Sequence, residues 1–427
     1  MKFVIRGGKK LSGTIVVNGA KNSVLKAMAA SLLFSGPITI ENVPQIEDVA
    51  RMSELLMDLG CGIKTPDGRT LEIYTGNVTK TELKEEIAKR LRASIVLAGP
   101  LLARSGKVSF PHPGGCVIGK RPIDVFLDGW RALGAKIKDR KNGFEVGARR
   151  LQGADYTFRV VSVTGTETLM MTAALAYGKT ILRNAACEPE IPALAEFLNA
   201  SGAKITGAGT STIEIKGTDG KLLRAKRPFR VIPDRIEAGS FLILGAALGN
   251  PIKITNCNPE HLSALILLLK NAGARIKVGK DLVEVAKPRT LAAVDVKTKE
   301  YPGFPTDLQA PFAVLMTQAE GQSDGKAGES VIFETIFENR FGYIDDLKRM
   351  GADIFFADPH RIVVKGPTPL RAREIESPDL RAGLAFVLAA LLAKGESIIN
   401  NVYQIDRGYE KIDERLRKLG AEIERTG

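Results

Sequence analysis

Cysteine is scarce and widely scattered in this chain. Cys61, Cys116, Cys187 and Cys257 include no CxxC pair. That argues against a structural zinc site or a disulfide framework and for a reducing, cytoplasmic setting. Histidine is rarer still, at three. His112 stands too close to Cys116 in a Gly- and Pro-rich stretch to form a Cys–His protease pair, and no third partner is evident. His261 and His360 read as surface residues. Aromatics make up 6% of the chain and no RNP-like motif occurs, so nucleic acid is not expected as a partner. No apolar run reaches the ~18 residues that cross a bilayer, so no membrane insertion is expected. The opening MKFVIRGGKK has no long apolar segment behind its charges and does not read as a secretory signal. Gly7-Gly8-Lys9-Lys10 lacks the spacing and the Ser/Thr of a P-loop.

What is present in excess is positive charge. The net charge is +13 over 427 residues, and the basic residues are dispersed rather than gathered into a tail. A small anionic substrate suits that pattern better than a polyanion. The length suggests two or three domains.

A Gly–small–any–Ile signature recurs six times, at Gly60, Gly134, Gly202, Gly273, Gly351 and Gly420. The interval is roughly 70 residues, which signals an internal repeat. Each glycine is expected to end a helix in a left-handed cap, with the Ile opening a strand. A second helix type recurs out of phase with the first. Its six members start near Lys21, Leu91, Thr164, Ile236, Thr306 and Asp379. Most are apolar nearly all round and read as fully buried helices. A short β segment follows each. Six such units divide naturally into two sets of three, with helices inside and sheets outside.

The buried helices keep polar residues in their first turns: Lys21 and Asn22, Arg92, Thr164 to Glu167, Arg235 with Glu237, Asp307, and Asp379 with Arg381. Helix N-termini attract anions through free N–H groups and the macrodipole. Parallel helices would let six such ends converge on one cleft. The bland alternative is a set of caps and solvated ends.

Residues 110–122, FPHPGGCVIGKRP, have no counterpart in the other five units. Their composition reads as a mobile loop of the kind that serves as a lid. Lys120 and Arg121 would lower the Cys116 pKa and make that thiol reactive. Cys61, Cys187 and Cys257 read as structural. FENRF around Arg340 and IDRGYE around Arg407 each place an arginine beside acidic residues after a strand. A structural salt bridge and a ligand role are both open for each.

GAKN, LRAS, PGGCVIGKRP, SVTGTE, NAACEPEI, PDRIEAG, FPTDLQA, FENRF, DLRAG and IDRGYE occur in this order. With the six units they resemble the enolpyruvyl transferase family over essentially the whole chain. Within it the Cys loop, SVTGTE and FPTD favour the UDP-N-acetylglucosamine 1-carboxyvinyltransferases over the shikimate-phosphate enzymes. The resemblance implies an α/β fold of two inverse α/β barrel domains, each of three repeats. One would span residues 22–232 and the other residues 1–21 plus 233–427. It implies transfer of enolpyruvyl from phosphoenolpyruvate to the sugar 3-hydroxyl of UDP-N-acetylglucosamine, with release of phosphate. The product would feed peptidoglycan synthesis. No cofactor or metal is expected, and the protein is expected to be a cytoplasmic monomer.

The resemblance also implies roles for residues. Lys21 and Asn22 would meet phosphoenolpyruvate and the substrate phosphate region. Arg121 and Arg407 would hold phosphate or carboxylate, with Arg340 and Arg381 as further cationic clamps. Asp307 would be the base at the sugar hydroxyl. Cys116 would be the proton donor, or would form a covalent adduct that aids product release. Arg92, the run Arg121, Pro122, Ile123, Asp124 and Val125, the run Ser162, Val163, Thr164 and Gly165, and Ile336 would contact the nucleotide sugar. Some relatives carry His, Lys and Trp where this chain has Phe126, Val160 and Val96, and Phe126 is expected to be able to stack on a base. Two other readings stay open: an enolpyruvyl transferase acting on another nucleotide sugar or nucleoside, and a non-catalytic homologue that kept the fold.

Overall fold

The computed structural model describes residues 1–112, 123–321 and 328–427. The described chain divides into two compact units. One comprises Met1–Asn18 and Pro233–Gly427; the other comprises residues 19–112 and 123–232. Each has its own apolar core.

The six glycine signatures all end helices in the left-handed region, with φ between 86° and 111°. A side chain at φ near +100° is strained, so the residue that stops each amphipathic helix is the one without a Cβ. The chain then turns into a strand, as at Gly62–Lys64 and Glu422–Thr426. One sheet shows the pattern of all. Ile38–Glu41 pairs antiparallel with Leu71–Tyr74, which pairs with Gly62–Lys64; Phe229–Arg230 lies parallel on the outer side of Ile38–Glu41. Five sheets have four strands in this order. The sixth has three, with a single parallel bridge from Glu82 to Ser109 where the fourth strand would lie. The α/β class and the sixfold repeat expected from the sequence are both present. Among the described residues the strands form six separate sheets, and none closes into a barrel.

Two sheets of one unit are completed from the start of the chain. Lys2–Arg6 runs between Glu396–Asn400 and Glu422–Thr426, antiparallel to both. Leu11–Val16 pairs parallel with Gly249–Thr255.

The six apolar helices occupy the interior: α1 (Lys21–Ala30), α2 (Ala98–Ser105), α3 (Val163–Ala174), α4 (Arg235–Leu248), α5 (Gln309–Met316) and α6 (Leu380–Leu392). In α6 every residue from Leu380 to Leu391 is buried, so the helix has no solvent face to mark with polar residues. Two helices are shorter than the apolar pattern suggests. Residues Arg92–Leu97 and Thr306–Leu308 form tighter 3₁₀ turns ahead of α2 and α5. Pro100 and Pro311 account for this, since neither can donate to the carbonyl four residues back, and each ring crowds it. Asp307 consequently sits in a turn at the mouth of α5.

Candidate active site

Asp307, Arg340 and Arg381 come together in the unit that holds α4, α5 and α6. Arg340 Nη2 donates to Asp307 Oδ1 at 3.0 Å. Arg381 approaches the other oxygen, with Nε at 3.0 Å and Nη2 at 2.8 Å from Oδ2. Both arginines are nearly buried, at 6% and 7% exposure, while the Asp307 side chain keeps 26%. Two guanidiniums thus fix both oxygens of a carboxylate that still reaches solvent. Burial by itself would lower the Arg381 pKa; the Asp307 carboxylate, the Tyr409 hydroxyl and the Asp234 carboxylate together outweigh it and hold the guanidinium above its ordinary value.

Local sequence explains the placement. Asp379 caps α6 by accepting from the backbone N–H of Arg381 and Ala382 at 2.7 and 3.0 Å. That sets Arg381 in the first turn, beside the turn that carries Asp307. Glu334 is fully buried. Its Oε1 accepts from the N–H of Ile336 and Phe337, and its Oε2 accepts from Thr306 Oγ1 at 2.8 Å. One carboxylate therefore ties the segment bearing Ile336 and Arg340 to the residue before Asp307. Arg407 ends the short helix Tyr403–Asp406, which packs on α6, and its Nη1 donates to Gln404 Oε1 at 3.1 Å.

The other unit holds a second group. Lys21 opens α1, and its Nζ lies 2.5 Å from Oδ2 of the buried Asp48. Asn22 is half-buried beside it. Arg92 begins the 3₁₀ turn that packs against both α1 and α3. Ser162 caps α3 by accepting from Gly165 N–H at 3.1 Å, which places Val163 and Thr164 in the first turn. The helix Asp124–Ala132 packs on α3 and is also held by Tyr156, whose hydroxyl donates to the Val125 carbonyl at 3.1 Å. Asp124 is exposed, whereas Ile123 and Val125 are buried. Deeper in, Lys26 of α1 pairs with the fully buried Glu167 of α3 at 2.9 Å.

Cys116, Lys120, Arg121 and Pro122 lie outside the described residues, as does most of the loop 110–122. Cys61 and Cys257 are buried, and burial pushes their thiols up to about 11, in keeping with structural roles. Phe126 corrects an expectation. It is 6% exposed and packs on Trp130, with ring centroids 6.1 Å apart, so it is a core residue without a free face for a base. Val96 is fully buried, and Val160 is exposed.

Sequence reasoning passed over Asp48, Glu334 and Tyr409. Asp48 stands in the first turn of the amphipathic helix Glu47–Asp58, where an acid is ordinary and draws no notice. Glu334 carries a usable signal: an acid directly after an apolar strand and two residues before a candidate contact. No cluster of metal-ligating side chains occurs among the described residues. No helix among them is long and apolar enough to cross a membrane.

Residues 5–416 match the model of the EPSP synthase family, 3-phosphoshikimate 1-carboxyvinyltransferase. A protein of Acidobacterium capsulatum named UDP-N-acetylglucosamine 1-carboxyvinyltransferase is 48% identical, over 100% of this chain and 96% of its own. One of the same name from Koribacter versatilis is 47% identical with the same coverage. Among solved structures, the enolpyruvyl transferase NikO of Streptomyces tendae superposes with a TM-score of 0.88 at 26% identity, covering 99% of this chain and 98% of its own. By family model, by full-length identity and by fold, this chain belongs to the enolpyruvyl transferases, among the UDP-N-acetylglucosamine 1-carboxyvinyltransferases.

Proposed function

We propose that the protein transfers the enolpyruvyl group of phosphoenolpyruvate to the 3-hydroxyl of UDP-N-acetylglucosamine and releases phosphate. The observation that carries this reading is 47–48% identity, across the whole chain, to proteins that bear this activity in their names. The hydroxyl oxygen bonds to the substituted vinyl carbon while the methylene gains a proton, giving a tetrahedral ketal. Phosphate then leaves, and the new methyl loses a proton to restore the vinyl group. The chemistry needs a general base, a general acid and cations for phosphate and carboxylate.

Asp307 is the base: a half-exposed carboxylate whose direction is set by two buried arginines. Lys21, Asn22, Arg121 and Arg407 bind phosphoenolpyruvate, with Arg340 and Arg381 as further cationic clamps that also orient Asp307. Arg92, the residues 121–125, the residues 162–165 and Ile336 bind the nucleotide sugar. Cys116 donates the proton to the methylene, or forms an adduct that aids release of product. We assign the domains as residues 22–232 and residues 1–21 plus 233–427, with Lys21 at the boundary. A cytoplasmic, monomeric enzyme that feeds peptidoglycan synthesis goes with this reading.

The test is phosphate release, followed with each substrate alone and with both together. Release only when both are present supports the reading. No release with both present overturns it.

A further inference from the structure

Tyr409 is 1% exposed and stands two residues after Arg407. Its hydroxyl meets two partners inside the unit. Arg381 Nη1 donates to it at 3.0 Å, and Ser240 Oγ of α4 lies 3.0 Å away. The direction of the second bond follows from a third. Ser240 Oγ donates to the Ile236 carbonyl at 2.8 Å, so the one serine hydrogen is committed and the tyrosine hydrogen points at Ser240. The chain of donation runs from Arg381 Nη1 to Tyr409, to Ser240, and ends on the α4 backbone. The remaining guanidinium contacts, Nε and Nη2, face Asp307. Gly408 keeps the segment close, because a Cβ there would come within 2.8 Å of the Leu380 side chain, next to Arg381.

We propose that Tyr409 is a positioning residue of the transfer reaction, whose buried hydroxyl holds Arg381 and, through it, the carboxylate of Asp307. This rests on the assignment of Asp307 as the base. A guanidinium held only on its Asp307 edge could pivot, and the carboxylate would turn with it. Anchored on Nη1 as well, it is fixed at both ends against α4 and α5. The same tyrosine ties the segment that carries Arg407 to the α6 terminus, so two substrate-facing positions share one anchor. Burial raises the Tyr409 pKa, against the lowering by Arg381 and Ser240, so the phenol keeps its hydrogen for Ser240 at neutral pH.

The experiment compares wild type, Tyr409→Phe, Ser240→Ala and Ser240→Thr. Phenylalanine keeps the ring and leaves Arg381 Nη1 without its acceptor. The expected result is a kcat at least tenfold lower with KM for UDP-N-acetylglucosamine within about threefold, since the loss falls on the chemical step. Ser240→Ala, which removes only the far end of the chain, should lower kcat less, and Ser240→Thr should restore it. A purely structural role would lower the folded fraction and leave kcat per active molecule unchanged. Tyr409→Phe with kcat within twofold of wild type overturns the proposal. If Tyr409→Phe does not fold, a Ser240→Ala kcat equal to that of wild type overturns it instead. If wild type itself does not turn over, the function falls and the hydroxyl chain is judged separately. The Arg381 Nε–H resonance, identified by its loss in Arg381→Lys, should then exchange slowly in wild type and fast in Tyr409→Phe. Equal exchange would refute the anchoring.

Discussion

Replacing Glu167 by glutamine should stabilise the surrounding unit at pH 8, although it removes half of a buried ion pair. Glu167 is fully buried on α3, with Lys26 Nζ 2.9 Å from Oε2 and no hydrogen-bond donor to Oε1 among the described residues. Burial pushes its carboxyl up to about 7; Lys26 pulls it down, and Glu190 and Glu188 push it further up. In the unfolded chain the group titrates near the ordinary glutamate value of about 4.3. Between the two values the folded chain holds a proton that the unfolded chain has released. Stability therefore falls as pH rises through this window and levels off above about 7. A rise from 4.5 to about 7 sets a ceiling of about 3 kcal/mol on the loss. Glutamine has the shape of the protonated acid and does not titrate. Variant and wild type should match below about pH 4 and differ by ~1–3 kcal/mol, in favour of glutamine, at pH 8. Urea unfolding under both conditions measures this. The chain's one tryptophan reports it well: Trp130 is fully buried, and its Nε1 donates to Thr172 Oγ1, on the same helix as Glu167, at 3.2 Å. A dominant ion pair would give the opposite sign, a loss of ~3–5 kcal/mol on removing one partner. A glutamine variant that is less stable than wild type at pH 8 refutes the reasoning.

Asp307→Ala should abolish turnover while UDP-N-acetylglucosamine binding, followed by calorimetry, stays within about tenfold; a variant that keeps more than a tenth of wild-type kcat would reduce Asp307 to a ligand or a cap. Fosfomycin, an epoxide analogue of phosphoenolpyruvate, should alkylate Cys116 and inactivate the enzyme, read by peptide mass analysis. Cys116→Asp should stay active yet resist it, because a carboxylic acid donates a proton without being a thiolate nucleophile. Cys61 and Cys257 should escape iodoacetamide in the native protein at pH 8, since both are buried and their thiols are pushed up to about 11; labelling of either at the rate of a free thiol would contradict their burial. Glu334→Ala should lower kcat and thermal stability together, because three hydrogen bonds are lost at one buried carboxylate; unchanged values of both would show that its segment holds itself.

The repeat was legible because it is written in backbone chemistry. A glycine at a left-handed cap, followed by a small residue and Ile, leaves the same trace six times, and all six caps are present. The buried helices were legible from their lack of a polar face. Their true starts were not, because Pro100 and Pro311 convert the first turns at Arg92 and Thr306 to 3₁₀ geometry. Asp307, Arg340 and Arg381 were singled out individually. Their pairing was not, since it joins residues 33 and 74 positions apart. Tyr409 was read as part of a motif and not as a partner of Ser240, because a buried hydroxyl network leaves no periodic trace. Phe126 misled because an aromatic beside candidate ligands is as compatible with core packing as with stacking.

The strand Lys2–Arg6 has a consequence for synthesis. It occupies an inner position of its sheet, between Glu396–Asn400 and Glu422–Thr426, with Lys2 opposite Thr426. Lys2–Arg6 thus waits for strands made about 390 residues later before it can pair. At ~5–20 residues per second that delay is on the order of 20–80 s. The unit of residues 19–112 and 123–232 is made within that interval and is free to fold during the wait. The other unit is not: until Glu396–Asn400 and Glu422–Thr426 are made, Lys2–Arg6 is an apolar-faced strand with two unmet edges, open to chaperones and to pairing with the wrong chain.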